Sequence, residues 1–242
     1  MNDKQSWNVL EQIVTIELGL LRLKGELVVP PDAKGIVVFA HCSDSSRYST
    51  RNHYLAHLLR QQEGLATILI DLLTEEEDAI DQRTQHLRYD ISFLASRLIT
   101  VTDWLFENTL TRNLKVGYFG VNRGSGAAFL AALARPMNVG AIVCRSGYTD
   151  LVSENLCYVQ TPTLLIVGGN DCAIIAMNED AIAEIPTQHK QIEIIPEASH
   201  KFNEPGAIEE VARLASQWFK YYLSPIEKGE LNLHAMSLSI EN

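Results

Sequence analysis

Apolar residues along this chain recur in two rhythms. Short runs of strand length alternate with longer stretches in which apolar residues return every three or four positions. Ile13 to Leu18 and Leu21 to Val29 read as two strands joined by a tight turn, a hairpin. Gly35 to Ala40 (GIVVFA) is apolar throughout and rich in β-branched residues, which suits a strand buried on both faces of a parallel sheet. Asn52 to Gln62 has helical spacing with Leu55, Leu58 and Leu59 on one face, and Leu65 to Leu72 is the next strand. The acidic stretch from Glu75 to Asp81 reads as a solvated loop or helix start. One long helix is expected from about Arg83 to Glu107, with Leu87, Ile91, Leu94, Leu98, Val101 and Leu105 as its apolar stripe.

Further strands are expected at Val116–Phe119, Val139–Cys144, Thr163–Val167 and Gln191–Ile195, and further helices at Ser125–Ala134, Ala173–Glu184 and Ala207–Leu223. An antiparallel start followed by repeated strand–helix units predicts an α/β fold with one open, mostly parallel sheet covered by helices on both faces. The 242 residues, 46% of them hydrophobic, can bury a sizeable core and suit one domain over 1–223. Residues 224–242 contain Pro225 and no clear periodicity, and read as a loose extension or a segment that docks a protein partner.

The formal net charge of -10 leaves no basic stripe for a phosphate backbone, so no nucleic-acid partner is expected, and it argues against anionic membranes. The N-terminus lacks the basic-then-apolar order of a secretory signal, and no apolar run spans a bilayer. Cys42, Cys144, Cys157 and Cys172 have neither CxxC spacing nor a metal-ligand cluster and read as reduced thiols. A cytoplasmic location is expected. With no glycine-rich dinucleotide loop and no metal set, no cofactor is expected.

Ligands in open parallel sheets bind beyond the carboxyl ends of the strands. Those ends are His41 to Arg47, Asp71 to Thr74, Gly120 to Gly124, Arg145 to Gly147, Gly168 to Asp171 and Pro196 to His200. The sharpest local signal is Gly120-Val121-Asn122-Arg123-Gly124, between the strand VGYF and an alanine-rich helix. This is the G-x-nucleophile-x-G pattern, in which flanking glycines relieve a strained strand-to-helix turn. The helix N-terminus beyond it favours an oxyanion. Asp171 follows a buried strand and two glycines, and can serve as a triad acid or simply as the N-cap of the next helix. His200 lies between the last strand and the last helix, where a lone histidine is more often inert. The chain order of elbow, acid and histidine favours the catalytic reading.

These motifs make the chain resemble the dienelactone-hydrolase-like branch of the α/β-hydrolases, and in particular bacterial hydrolases that occur alone or fused to phosphoribosyltransferases. The resemblance runs from about Gly35 to Phe219. It rests on His41-Cys42-Ser43-Asp44-Ser45-Ser46-Arg47 with Arg51-Asn52, Asp71-Leu72-Leu73-Thr74, Arg83 with His86-Leu87-Arg88, Val116 to Gly124, Thr161 to Gly169 with Asp171, and Ala198-Ser199-His200 with Phe202 and Glu204 to Ala207. It implies an α/β-hydrolase fold of about eight strands and hydrolysis of an ester or lactone through an acyl-enzyme. Carried over position by position, Asp171 matches the triad acid, His200 the base and Asn122 the nucleophile. The Arg123 amide and the loop near Cys42 and Ser43 match the oxyanion hole.

Two departures bear on activity. The family usually has serine or cysteine where Asn122 stands, and glycines where Cys42 and Asp44 stand. A carboxylate at Asp44 near a developing oxyanion would be repelled by it. An amide nitrogen has a delocalised lone pair and is not a nucleophile. Losing a triad nucleophile leaves only roughly 10³–10⁴-fold acceleration over water. Ser125, three residues on, and Cys42 are alternative nucleophiles, though Ser125 reads better as a packing residue.

Three readings follow. The first is a pseudoenzyme that binds a small ligand or protein partner. The second is an active hydrolase in which His200 activates water or Asn122 deamidates to aspartate. The third is a structural subunit that docks through its tail. Arg47, Arg88 and Arg145 are candidate ligand-binding residues for an anion, unless they pair with acids such as Asp71 or Asp90.

Overall fold

The computed structural model describes residues 9–41 and 48–224, with the His41 side chain not included. The expected hairpin forms from β1 (Leu10–Leu18) and β2 (Leu21–Val29), in full antiparallel register across Gly19-Leu20. Gly19 supplies the positive φ, 63°, that this two-residue turn needs. Then come β3 (Ile36–His41), α1 (Thr50–Glu63), β4 (Ala66–Asp71), α2 (Glu75–Thr84), α3 (His86–Tyr89) and α4 (Ile91–Glu107). The second half holds β5 (Val116–Val121), α5 (Gly124–Ala134), β6 (Val139–Arg145), α6 (Ser153–Leu156), β7 (Thr163–Gly168), α7 (Cys172–Glu184), β8 (Lys190–Ile195) and α8 (Ala207–Leu223).

The strands form one eight-stranded sheet in the order β1-β2-β4-β3-β5-β6-β7-β8. β2 meets β4 antiparallel, and every pairing from β4 to β8 is parallel. Alternation along the strands feeds two separate cores. Ile36, Val38 and Ala40 face the layer made by α4 and α5, where Leu94, Leu98, Val101 and Phe129 are buried. Val37 and Phe39 face α1 and α8, against Leu55, Leu59, Val211 and Phe219. Helices therefore cover both faces, as the pattern predicts. None of the described helices is long and apolar enough to cross a membrane.

One expectation is corrected. The helix expected from Arg83 to Glu107 is three helices. Gln85 takes the left-handed conformation, φ 58°, which ends α2, and Asp90 starts α4 by accepting from the Phe93 amide at 2.9 Å. The apolar stripe is real but begins at Ile91, and Leu87 reaches the same core from α3. Glu75 to Asp78 of the acidic stretch form the first turn of α2. Thr74 and Glu77 form a reciprocal capping box, and the acids sit where the helix dipole favours negative charge.

Candidate active site

β5 ends at Val121 and α5 starts at Gly124, so Asn122 turns the chain through a sharp elbow. Its φ is 53°, in the left-handed region that asparagine tolerates better than most residues. The elbow is fastened by main-chain groups. The Asn122 amide donates to the Arg145 carbonyl at 3.3 Å, and the Asn122 carbonyl accepts from the Ser125 and Tyr148 amides, each at 3.2 Å. A β-carbon at Gly120 would lie 2.7 Å from the Ser125 Cα, so the turn closes this tightly only with glycine there.

Asp171 is the N-cap residue of α7, yet its side chain makes no capping bond. It turns to His200, whose Nδ1 lies 2.6 Å from Asp171 Oδ2. A carboxylate only accepts, so Nδ1 carries the proton. The other ring nitrogen, Nε2, lies 3.1 Å from Asn122 Oδ1. With Oδ1 toward it, Nε2 donates and the ring is an imidazolium. The amide turned over presents NH2 to a neutral ring. The three residues expected to form a triad are thus brought together from loops after β5, β7 and β8.

The loop carrying His200 is seated by backbone contacts. Ser146, itself at φ 46°, donates its hydroxyl to the His200 carbonyl at 3.0 Å. The Gly169 and Asn170 amides donate to the Ile195 and Ala198 carbonyls at 2.8 and 3.0 Å, and the Glu204 carboxylate accepts from the Ser199 amide at 3.0 Å. That carboxylate is held below its ordinary range chiefly by hydrogen bonds from Ser199. A β-carbon at Gly168 would meet the Ala198 and Ser199 carbonyl oxygens at 2.5 and 2.6 Å, so glycine allows the two loops to touch.

Above this set opens a cavity of about 670 Å³, lined by Arg51, Val121, Asn122, Arg123, Arg145, Tyr148, His200, Lys201 and Asn203. Arg123, at the start of α5, lays its guanidinium over the Tyr89 ring at 3.9 Å and donates to the Tyr89 hydroxyl. Arg145 at the end of β6 is buried, 4% exposed, beside the Phe202 ring. Burial, and then the neighbouring Arg51 charge, push its guanidinium down to about 10.

Arg88 departs from the expectation of a ligand-binding residue. It is not among the described residues lining the cavity. Its Nε donates to Asp81 Oδ2 at 2.6 Å, inside the corner of α2 and α3. The acid it finds is Asp81, while Asp90 is occupied capping α4. Ser125 is fully buried in the first turn of α5 and does not line the cavity, so it serves as a packing residue. Cys42, Ser43, Asp44 and Arg47 lie outside the described residues, as does the tail from 225 to 242. Tyr148 and Asn203 are cavity residues that the motifs did not indicate. Tyr148 lies just past the Arg145–Gly147 strand end, where extending the segment by one residue would have found it.

No family model matches the chain. Among solved structures, a dienelactone hydrolase from Anabaena variabilis ATCC 29413 is 57% identical, with a TM-score of 0.85 over 89% of this chain and 99% of that one. The chain belongs to the dienelactone-hydrolase-like α/β-hydrolases. A protein of Mycobacterium tuberculosis (strain ATCC 25618 / H37Rv) described as a "Putative phosphoribosyl transferase" is 47% identical over 209 residues, 86% of this chain. The chain spans about half of that relative's length, 46%. A dienelactone hydrolase-like promiscuous phosphotriesterase from metagenomic libraries shares the fold, with a TM-score of 0.70 at 17% identity over 89% of this chain and 99% of that one. The fold class expected from sequence is therefore that of this family.

Proposed function

We propose that this dienelactone-hydrolase-like chain is a pseudoenzyme that uses the cavity over Asn122 to bind a small-molecule ligand rather than to turn over an ester or lactone. One observation carries this reading. The group facing His200 Nε2 at 3.1 Å is a carboxamide, not a hydroxyl or thiol. An amide in that place hydrogen-bonds to the base but offers no lone pair for attack on a carbonyl carbon. In sequence, Cys42 and Asp44 also depart from the family pattern, consistent with a wider loss of acyl transfer.

A second reading is favoured by the intact bond between Asp171 and His200. An oriented histidine can activate water directly, which would make the chain an ester or lactone hydrolase without an acyl-enzyme. Turnover of short p-nitrophenyl esters by wild type, Asn122→Ser and His200→Ala separates the two. Under the proposal, wild type is no faster than His200→Ala, and Asn122→Ser gains activity because the acid, base and elbow are in place. Wild-type turnover equal to that of Asn122→Ser, and lost in His200→Ala, would refute it and support water activation.

A further inference from the structure

Arg145 is out of keeping with its surroundings. A buried guanidinium normally has a carboxylate or several carbonyls around it, because stripping its water without replacement costs several kcal/mol, roughly, per ion. Arg88 meets this need through Asp81, but Arg145 has no such pairing: its Nε and Nη1 are both buried without a hydrogen-bond partner among the described residues. The charge acting on it is another cation, Arg51, which also lines the cavity. Arg51 itself donates to the Asn203 amide oxygen, a neutral acceptor. Arg123 and Lys201 also line the cavity, which brings the cations among its described lining residues to four. The nearby carboxylate, Asp171, is committed to His200. Among the described residues, positive charge is thus gathered in one cavity without a carboxylate lining it, in a chain whose formal net charge is -10.

We infer that the ligand of this cavity carries a phosphate monoester group, seated on Arg145 and Arg51 beside Lys201. This rests on the proposed role of the cavity as a ligand site and names the class of ligand. A carboxylate brings one charge, which leaves one of two neighbouring guanidiniums uncompensated. A phosphate monoester carries about two negative charges at neutral pH and presents three acceptor oxygens. That matches a cavity-lining Arg145 guanidinium with no carboxylate of its own and a second guanidinium beside it. The cavity volume of about 670 Å³ leaves room for an organic group of sugar or aryl size next to the phosphate.

The test is calorimetric titration of the full chain with phenyl phosphate, benzoate and phenol. Phenyl phosphate is expected to bind more tightly than benzoate, and phenol not measurably. Arg145→Met is expected to weaken phenyl phosphate by about 30-fold or more, the loss of charge-assisted bonds. The same variant, without ligand, is expected to melt at a higher temperature than wild type, since an unpaired buried charge has been removed. Arg51→Gln, at the start of α1, is expected to weaken binding by about 10-fold and covers the case in which Arg145→Met fails to fold. Benzoate binding as tightly as phenyl phosphate, no phenyl phosphate binding to wild type, or unchanged affinity in both variants would each overturn the inference. Binding is read without turnover. An active wild-type esterase would therefore sink the pseudoenzyme reading and leave this one standing, and unchanged affinity would do the reverse.

Discussion

Gly168→Ala probes how the histidine is held. The added β-carbon would stand 2.5 Å from the Ala198 carbonyl oxygen and 2.6 Å from that of Ser199, both backbone atoms that no side-chain rotation can move. Real β-carbons essentially never come within 3.0 Å of such atoms, so the loop must retreat by at least about 0.5 Å. The residue next along that loop is His200, whose bond to Asp171 is 2.6 Å long. A retreat of this size is comparable to the tolerance of a positioned site, about 0.5 Å, and stretches the bond toward ordinary contact. Overpacking of this kind costs about 1–3 kcal/mol, a fall of about 5 °C in melting temperature for a chain of this size. The assay is the proton resonance of His200 Nδ1–H, shifted far downfield by the carboxylate, recorded beside a urea melt. The variant should lose or shift that resonance. Gly64→Ala is the control. That glycine caps α1 at φ 64° with open space around a β-carbon, so it should lose stability and leave the resonance in place. An unchanged His200 resonance in Gly168→Ala would refute the claim that loop contact at this glycine positions the histidine.

Two further predictions concern the α2 corner. Asp81 is fully buried, and although burial alone would raise its carboxyl, the bonds from Arg88 and from the Leu87 and Arg88 amides outweigh that and hold it below the usual carboxylate range. Asp81→Asn should cost about 3–5 kcal/mol in urea unfolding at neutral pH, because it breaks the buried Arg88–Asp81 ion pair. A folded value below the unfolded one means this stabilisation is complete above the ordinary carboxylate value near ~3.9 and fades as pH falls through the lower native value. The urea midpoints of wild type and variant should therefore converge on acidification, and a constant gap would contradict the assignment. Thr74→Ala removes one half of the capping box and should cost about 1 kcal/mol by the same measurement, with no change in phenyl phosphate affinity.

The sheet was legible because β3, β5 and β7 are apolar at nearly every position, a pattern few other environments produce. The triad positions were legible because each lies past a strand end, where the fold concentrates loops, and because glycines lie close to Asn122 and Asp171. The break at Gln85 was not. Its left-handed turn is satisfied by tertiary bonds from Leu87 and Arg88 to Asp81, and helical spacing continues across it. The same ion pair explains why Arg88 was misplaced. Sequence proximity suggested Asp90, whereas the turn swings the guanidinium back to the preceding helix. Tyr148 and Asn203 escaped notice for a related reason. They reach the cavity through the positive-φ turns at Ser146 and Phe202, neither of which is a glycine that would announce it.

The turn at Asn122 is fastened through its amide nitrogen and carbonyl oxygen, to Arg145, Ser125 and Tyr148, while its side chain faces His200. The main-chain fastening is therefore independent of the side chain there, although the φ of 53° still favours a residue that tolerates the left-handed region. Two of the six serine codons differ from an asparagine codon by a single base, so chemistry at this point can be gained or lost in one mutational step from those codons while the scaffold is inherited unchanged. Selection on the ligand cavity and selection on catalysis can then act separately on the same gene.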